Sequence, residues 1–184
     1  MLAAVAAGLG FGALSAFGQA RLDGTLEAFP NSISTWLLAP FLVGMLASTR
    51  RDAMLAGVLA CAFELAGYYA VNAAQAIGTT AALVGFWTAC AVVGGPLFGA
   101  AGQLWRTGEP RRRGLGLAAL AGVFVAEGAY AFAHQEQRYL AGALWIAIGL
   151  ALVLATRQAR WLGLTVPLGL AGEVVLTFGV QRLF

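Results

Sequence analysis

The chain contains no lysine; its eleven basic residues are all arginine. Without a lysine no retinal-type Schiff base can form, which excludes a retinal-binding seven-helix protein. Histidine occurs once, at His134, and aspartate only at Asp23 and Asp52, both in loops. One histidine cannot make a metal site, and intramembrane aspartyl chemistry needs two facing aspartates. No HExxH, GxSxG or P-loop pattern is present. The two cysteines, Cys61 and Cys90, have no metal-ligand spacing and fall inside apolar runs, where they read as small buried hydrophobes. These absences point away from an enzyme and from a cofactor.

Charge is scarce as well. Only 10% of the 184 residues are charged, whereas 60% are hydrophobic and the mean hydropathy is +0.81. A soluble domain carries about 25% charged residues. Apolar runs recur along the whole chain at the length needed to cross roughly 30 Å of hydrocarbon. The expected fold is therefore an all-α, polytopic membrane helix bundle, a single transmembrane domain over residues 1–184. Seven spans are expected, at about 2–19, 32–48, 53–73, 79–104, 114–134, 139–156 and 161–181. Residues 2–18 lack the basic flank of a secretory signal and read as the first span. Pro40, Pro96 and Pro167 are expected as packed kinks, and Gly94-Gly95-Pro96 offers a place for a local helix break.

The arginines orient the bundle. One set of loops holds Arg50, Arg51, Arg106, Arg111, Arg112, Arg113, Arg157 and Arg160; the other holds Arg21 and Arg138, with Arg182 in the tail. By the positive-inside rule the richer side is cytoplasmic, so the N-terminus is inside and the C-terminus outside. The net charge of +3 sits in loops, where it speaks of orientation and not of nucleic acid.

Three outward-running spans each carry one glutamate near the middle: Glu64, Glu127 and Glu173. Each follows an arginine cluster, and Arg50 to Glu64 and Arg113 to Glu127 are both 14 residues. The preceding inward spans carry Trp36, Trp87 and Trp145 near their outer ends, where tryptophan is also enriched as a plain interface marker. The pattern suggests a lone first helix followed by three repeated hairpins.

Positions three or four apart share a helix face. Glu64 continues outward through Tyr68 and Asn72, Glu127 through Tyr130 and His134, and Glu173 through Thr177 and Gln181. The first span adds Ser15, Gln19 and Asp23. A charge at the bilayer centre costs roughly 2.5–3.5 kcal/mol on insertion scales, so three acids are hard to sustain as decoration. If the stripes turn toward each other they form an outward-facing polar cavity, floored by closely packed small residues. Glutamates beside tyrosines suit a cationic, amine-bearing or proton-coupled solute. The plainer reading makes each carboxyl an interhelical hydrogen bond. His134 reads most simply as a solvated residue at the outer mouth.

Residues 12–47 read GALSAFGQARLDGTLEAFPNSISTWLLAPFLVGMLA. With Gly18, Gln19, Asn31, Ser32, Trp36, Phe41, Leu42 and Gly44, and with GYY at 67–69, this stretch resembles a family of small bacterial multi-spanning membrane proteins catalogued only as a domain of unknown function. The resemblance covers the first 70 or so residues. It implies an integral membrane protein and no particular activity; the expected location is the cell inner (plasma) membrane. It also draws attention to Gln19, Asn31 and Ser32.

The expectation is a membrane protein that binds a small molecule or ion, as a transporter or its substrate-capture subunit. The expected binding residues are Gln19, Asn31, Trp36, Glu64, Tyr68, Asn72, Glu127, Tyr130, Glu173 and Thr177. Alternatives are an accessory subunit pairing its glutamates with a membrane partner or a second copy, and a channel. The apolar inner halves argue against a wet pore.

Overall fold

A computed structural model describes residues 1–30, 32–134, 139–155 and 159–182. All regular structure among them is helical. The helices are α1 (Leu2–Arg21), α2 (Ile33–Trp36), α3 (Leu38–Met45), α4 (Arg50–Ala74), α5 (Ala81–Thr107), α6 (Pro110–His134), α7 (Tyr139–Ala155) and α8 (Leu162–Gln181). Short 3-10 turns lie at Gly24–Ala28 and Ala159–Trp161. Five helical stretches are long and apolar enough to cross a membrane: Leu2–Arg21, Arg50–Ala74, Ala81–Thr107, Arg112–His134 and Ala159–Gln181. Ile33–Met45 and Tyr139–Leu154 are apolar but shorter.

The expected span 32–48 differs most from its reading. It is two short helices broken at Leu37. Ile33–Met45 covers only about 20 Å at 1.5 Å per residue. Pro40 explains where the break falls. Its ring clashes with the carbonyl four residues earlier, that of Trp36, and it has no N–H to donate. In the first turn of α3 that missing donor costs nothing. Proline therefore ends one helix and starts the next, where a kink within one helix was expected.

Elsewhere the local chemistry sets the boundaries. Thr49 caps α4 by accepting from the Asp52 N–H at 3.1 Å and donating to the Asp52 carboxylate at 2.7 Å. Thr80 caps α5, and Pro110 opens α6. The end of α4 is a Schellman turn: Ile77 N–H donates to the Asn72 carbonyl at 2.9 Å and Ala76 N–H to Ala73 at 3.1 Å. Ala76 holds the left-handed position with φ 57°, a place where glycine is usual. The anticipated break at Gly94-Gly95-Pro96 does not form, and α5 runs through it unbroken.

Close glycine contacts hold the N-terminal half together. A Cβ on Gly12 would overlap the Glu64 carbonyl, and one on Gly8 the Ala60 carbonyl, so α1 lies directly on α4. Gly57 and Gly95 meet in the same way between α4 and α5, and between α3 and α5 Gly44 lies on Gly99 and Gly102 on the Phe41 carbonyl. Small residues at such crossings let backbones approach and gain dispersion contact in lipid. The other half is built on larger side chains: Leu117, Leu120 and Phe124 of α6 cluster with Trp145 of α7 and Phe41 of α3. Here α7 and α8 each pack on α6, and among the described residues they make little contact with one another. The third expected hairpin is thus not a packed pair. Of the free cysteines Cys61 is buried, as read, whereas Cys90 is only half-buried.

Candidate functional site

The non-helical stretch before α2 is the centre of the polar structure. Pro30, Ser32 and Ser34 are buried. Irregular backbone inside a membrane protein must be satisfied by protein groups or line a cavity. This stretch is satisfied from both sides.

On one side lie α1 and α4. The Pro30 carbonyl accepts from Ser15 Oγ at 2.5 Å, Trp36 Nε1 at 3.1 Å and Gln19 Nε2 at 3.3 Å. Tyr68 of α4 donates its hydroxyl to Gln19 Oε1 at 2.7 Å, and its ring meets Trp36 edge-on with centroids 5.4 Å apart. Pro30 bonds to Ser15, six residues before the end of α1, which places it about 9 Å below that end.

On the other side lies Glu127 of α6. Its Oε2 accepts from Ser32 Oγ at 2.8 Å, from Ser34 N–H at 2.9 Å and from the Ser34 hydroxyl; its Oε1 accepts from Ile33 N–H at 3.1 Å. Ser32 Oγ in turn accepts from Trp145 Nε1 at 2.7 Å and from Thr35 N–H at 3.3 Å. Trp145 is 2% exposed, and its ring lies 4.2 Å from that of Phe29. It was grouped with the interface markers; it is instead a buried donor.

Next to this knot is a cavity of about 150 Å³ lined by Ala28, Ile33, Glu127, Tyr130, Trp145, Glu173 and Thr177, among others. Glu173 is 6% exposed and makes no hydrogen bond among the described residues. His134 is exposed at the end of α6, stacked on Tyr130 with centroids 4.6 Å apart.

The ten expected residues therefore divide. Glu127, Tyr130, Glu173 and Thr177 meet in the cavity. Gln19, Trp36 and Tyr68 form the brace on the α1 side. Glu64 and Asn72 are buried in α4 away from the cavity. Glu64 is 1% exposed, and its Oε2 has no hydrogen-bond partner among the described residues. Asn31 lies outside the described residues, as do Glu136, Arg138 and Arg157. The single cavity uniting Glu64 with Glu127 is not what forms, because Gly8 and Gly12 close α1 onto the Glu64 turn. Ser34, Trp145 and the Pro30 carbonyl were not among the expected residues. Ser34 could have been found from the Ser-Ile-Ser spacing just before a proline-broken helix.

Fold and site together define a helical bundle in which five helices are long and apolar enough to cross a membrane and carboxylates sit between the helices, one of them braced against a broken helix. The chain belongs to a family of unknown function (DUF6518), whose pattern matches residues 1–183. No curated protein and no solved structure matches it.

Proposed function

We propose that this protein binds a small, positively charged or hydrogen-bond-donating solute in the cavity between α6, α7 and α8, as a transporter or the capture subunit of one. The observation that carries this reading is the cavity itself: about 150 Å³ beside two carboxylates, Glu127 and Glu173, with Tyr130 and Thr177 in its wall. At about 30 Å³ per water that is room for about five waters, or for a small amine or ion with part of its hydration shell. Seven crossings with the N-terminus inside complete the reading, α3 and α7 being the short ones. The arginine distribution supports it, and on this reading the cavity lies toward the outer face of a bacterial inner membrane. The hairpin repeat finds support only in the glutamate spacing.

The test is thermal unfolding of the purified protein in detergent against amines, metal ions and vitamins. A ligand at a hundredfold excess over its Kd raises stability by about 2.7 kcal/mol. An Ala131→Leu variant fills the cavity and should abolish the rise. If no ligand shifts the wild-type protein, the binding reading falls. The second reading, an accessory subunit that pairs its glutamates with a membrane partner, then gains.

A further inference from the structure

Resting on the cavity being a binding site, we infer that Glu173 is its ligand-binding carboxylate, that Glu127 is a positioning residue, and that the ligand is a singly charged cation. A carboxylate has about four lone-pair sites. Glu127 receives four donors: the Ser32 and Ser34 hydroxyls and the Ile33 and Ser34 N–H groups. Three of the four fall on Oε2, which is saturated in holding the broken segment, and the fourth on Oε1. Glu173 has received none among the described residues, is 6% exposed, and lines the cavity. The side-chain hydroxyls of Tyr130 and Thr177 are likewise uncommitted there. The cavity thus offers one free carboxylate and two neutral oxygens. A divalent ion would set two charges against one unpartnered carboxylate, and calcium takes six to eight oxygen ligands and magnesium an octahedral set, waters included, which this small cavity would have to hold with the ion. Recruiting Oε2 of Glu127 to balance the second charge would strip donors from Ser32 and Ser34 and leave the buried Ser34 N–H unpaired. A monovalent cation, either an alkali ion or a primary ammonium, needs only one compensating charge and a few hydrogen-bond acceptors.

The experiment titrates the full-length protein in detergent with sodium, methylammonium, magnesium and calcium chlorides. Ionic strength is matched with N-methylglucamine chloride, and unfolding temperature is the readout. The variants are Glu173→Gln, Glu173→Asp, Glu127→Gln and Thr177→Val. Sodium or methylammonium should raise the unfolding temperature of wild type, and which of the two acts identifies the source of the charge. Glu173→Gln should weaken the midpoint by at least about thirtyfold, as loss of one partner from a buried charge pair does. Glu173→Asp should recover part of it, and Thr177→Val should weaken it less. Glu127→Gln should lower the unfolding temperature without salt yet leave the midpoint within about tenfold of wild type, since Glu127 touches no ligand. A larger shift with calcium or magnesium that needs both glutamates would overturn the inference and keep the cavity as a binding site. A monovalent shift undiminished in Glu173→Gln would overturn it as well. No shift with any salt in wild type sinks this inference alone if an uncharged solute still binds, and both readings if none does.

Discussion

Helices α1 and α4 lie against each other with no space between them, whereas α6 and α8 touch at mid-helix and leave a cavity beyond. Gly8 and Gly12 seat α1 on the backbone of the turn that carries Glu64. The corresponding contact between α6 and α8 is Gly122 against Thr165 and Gly169. Beyond it the facing residues are Glu127, Tyr130, Glu173 and Thr177, which are too large to close. Toward its end α8 instead meets α5, where Gly179 faces the Phe86 ring. The same residue type therefore has two fates. Where glycines continue up to the glutamate the carboxyl is sealed in, and where they stop one turn short it opens on a void.

The largest expected effect separates Glu127 from Glu64. Glu127→Leu removes the acceptor of four donors and should cost about 4 kcal/mol, because buried groups left unpaired carry their full desolvation penalty. Glu64→Leu removes a carboxyl that already has an unpartnered oxygen and should change stability by less than about 1 kcal/mol, or raise it. Reversible unfolding of both variants in mixed micelles checks this; equal losses would erase the distinction between the two acids.

Next comes the packing itself. Gly12→Val drives a side chain into the Glu64 carbonyl and should cost about 3 kcal/mol, the upper end for overpacking. Ala131→Val at the cavity wall has room and should cost less than about 1 kcal/mol. If Gly12→Val melts with the wild type, α1 is not seated on α4 as described. A smaller effect tests a site in neither half. Ala76→Gly relieves the left-handed strain at the end of α4 and should add about 1 kcal/mol, read from the same melts. The smallest is Tyr68→Phe. Losing the bond to Gln19 should cost about 0.6 kcal/mol, the average for interhelical hydrogen bonds in membranes. A cost as large as that of Glu127→Leu would make the α1 brace, and not α6, the main support of the broken segment.

Much of the bundle could be read from composition and spacing. Long apolar runs ended by Thr49, Thr80 or Pro110 have few alternatives, and the observed helices begin within a few residues of expectation. The Glu127, Tyr130, Glu173 and Thr177 grouping was also legible, because helical spacing puts each pair on one face. What could not be read was which acid has which partner. Glu64 and Glu127 occupy equivalent places in their helices, and the difference lies in residues 93 to 95 positions away. Trp145 was obscured because tryptophan at that depth is common for an unrelated reason. The Pro30 carbonyl was invisible because a backbone oxygen leaves no mark in residue type. Pro40 was recognised as a perturbation, but its effect was placed on its own position, whereas the clash acts one turn earlier.

The separation between Glu127 and its donors also has a consequence for how the chain is made. Ile33–Met45 is apolar but shorter than the five long apolar helices, and its polar entry stretch is completed by a carboxylate 94 residues later than Ile33. At bacterial and eukaryotic synthesis rates of about 5–20 residues per second, that partner arrives roughly 5–20 s after the segment leaves the ribosome. During that interval the Ile33 and Ser34 N–H groups must find other acceptors. The N-terminal half is thus made before the partner of its broken segment exists, and the arrival of α6 sets the moment at which that segment can be buried.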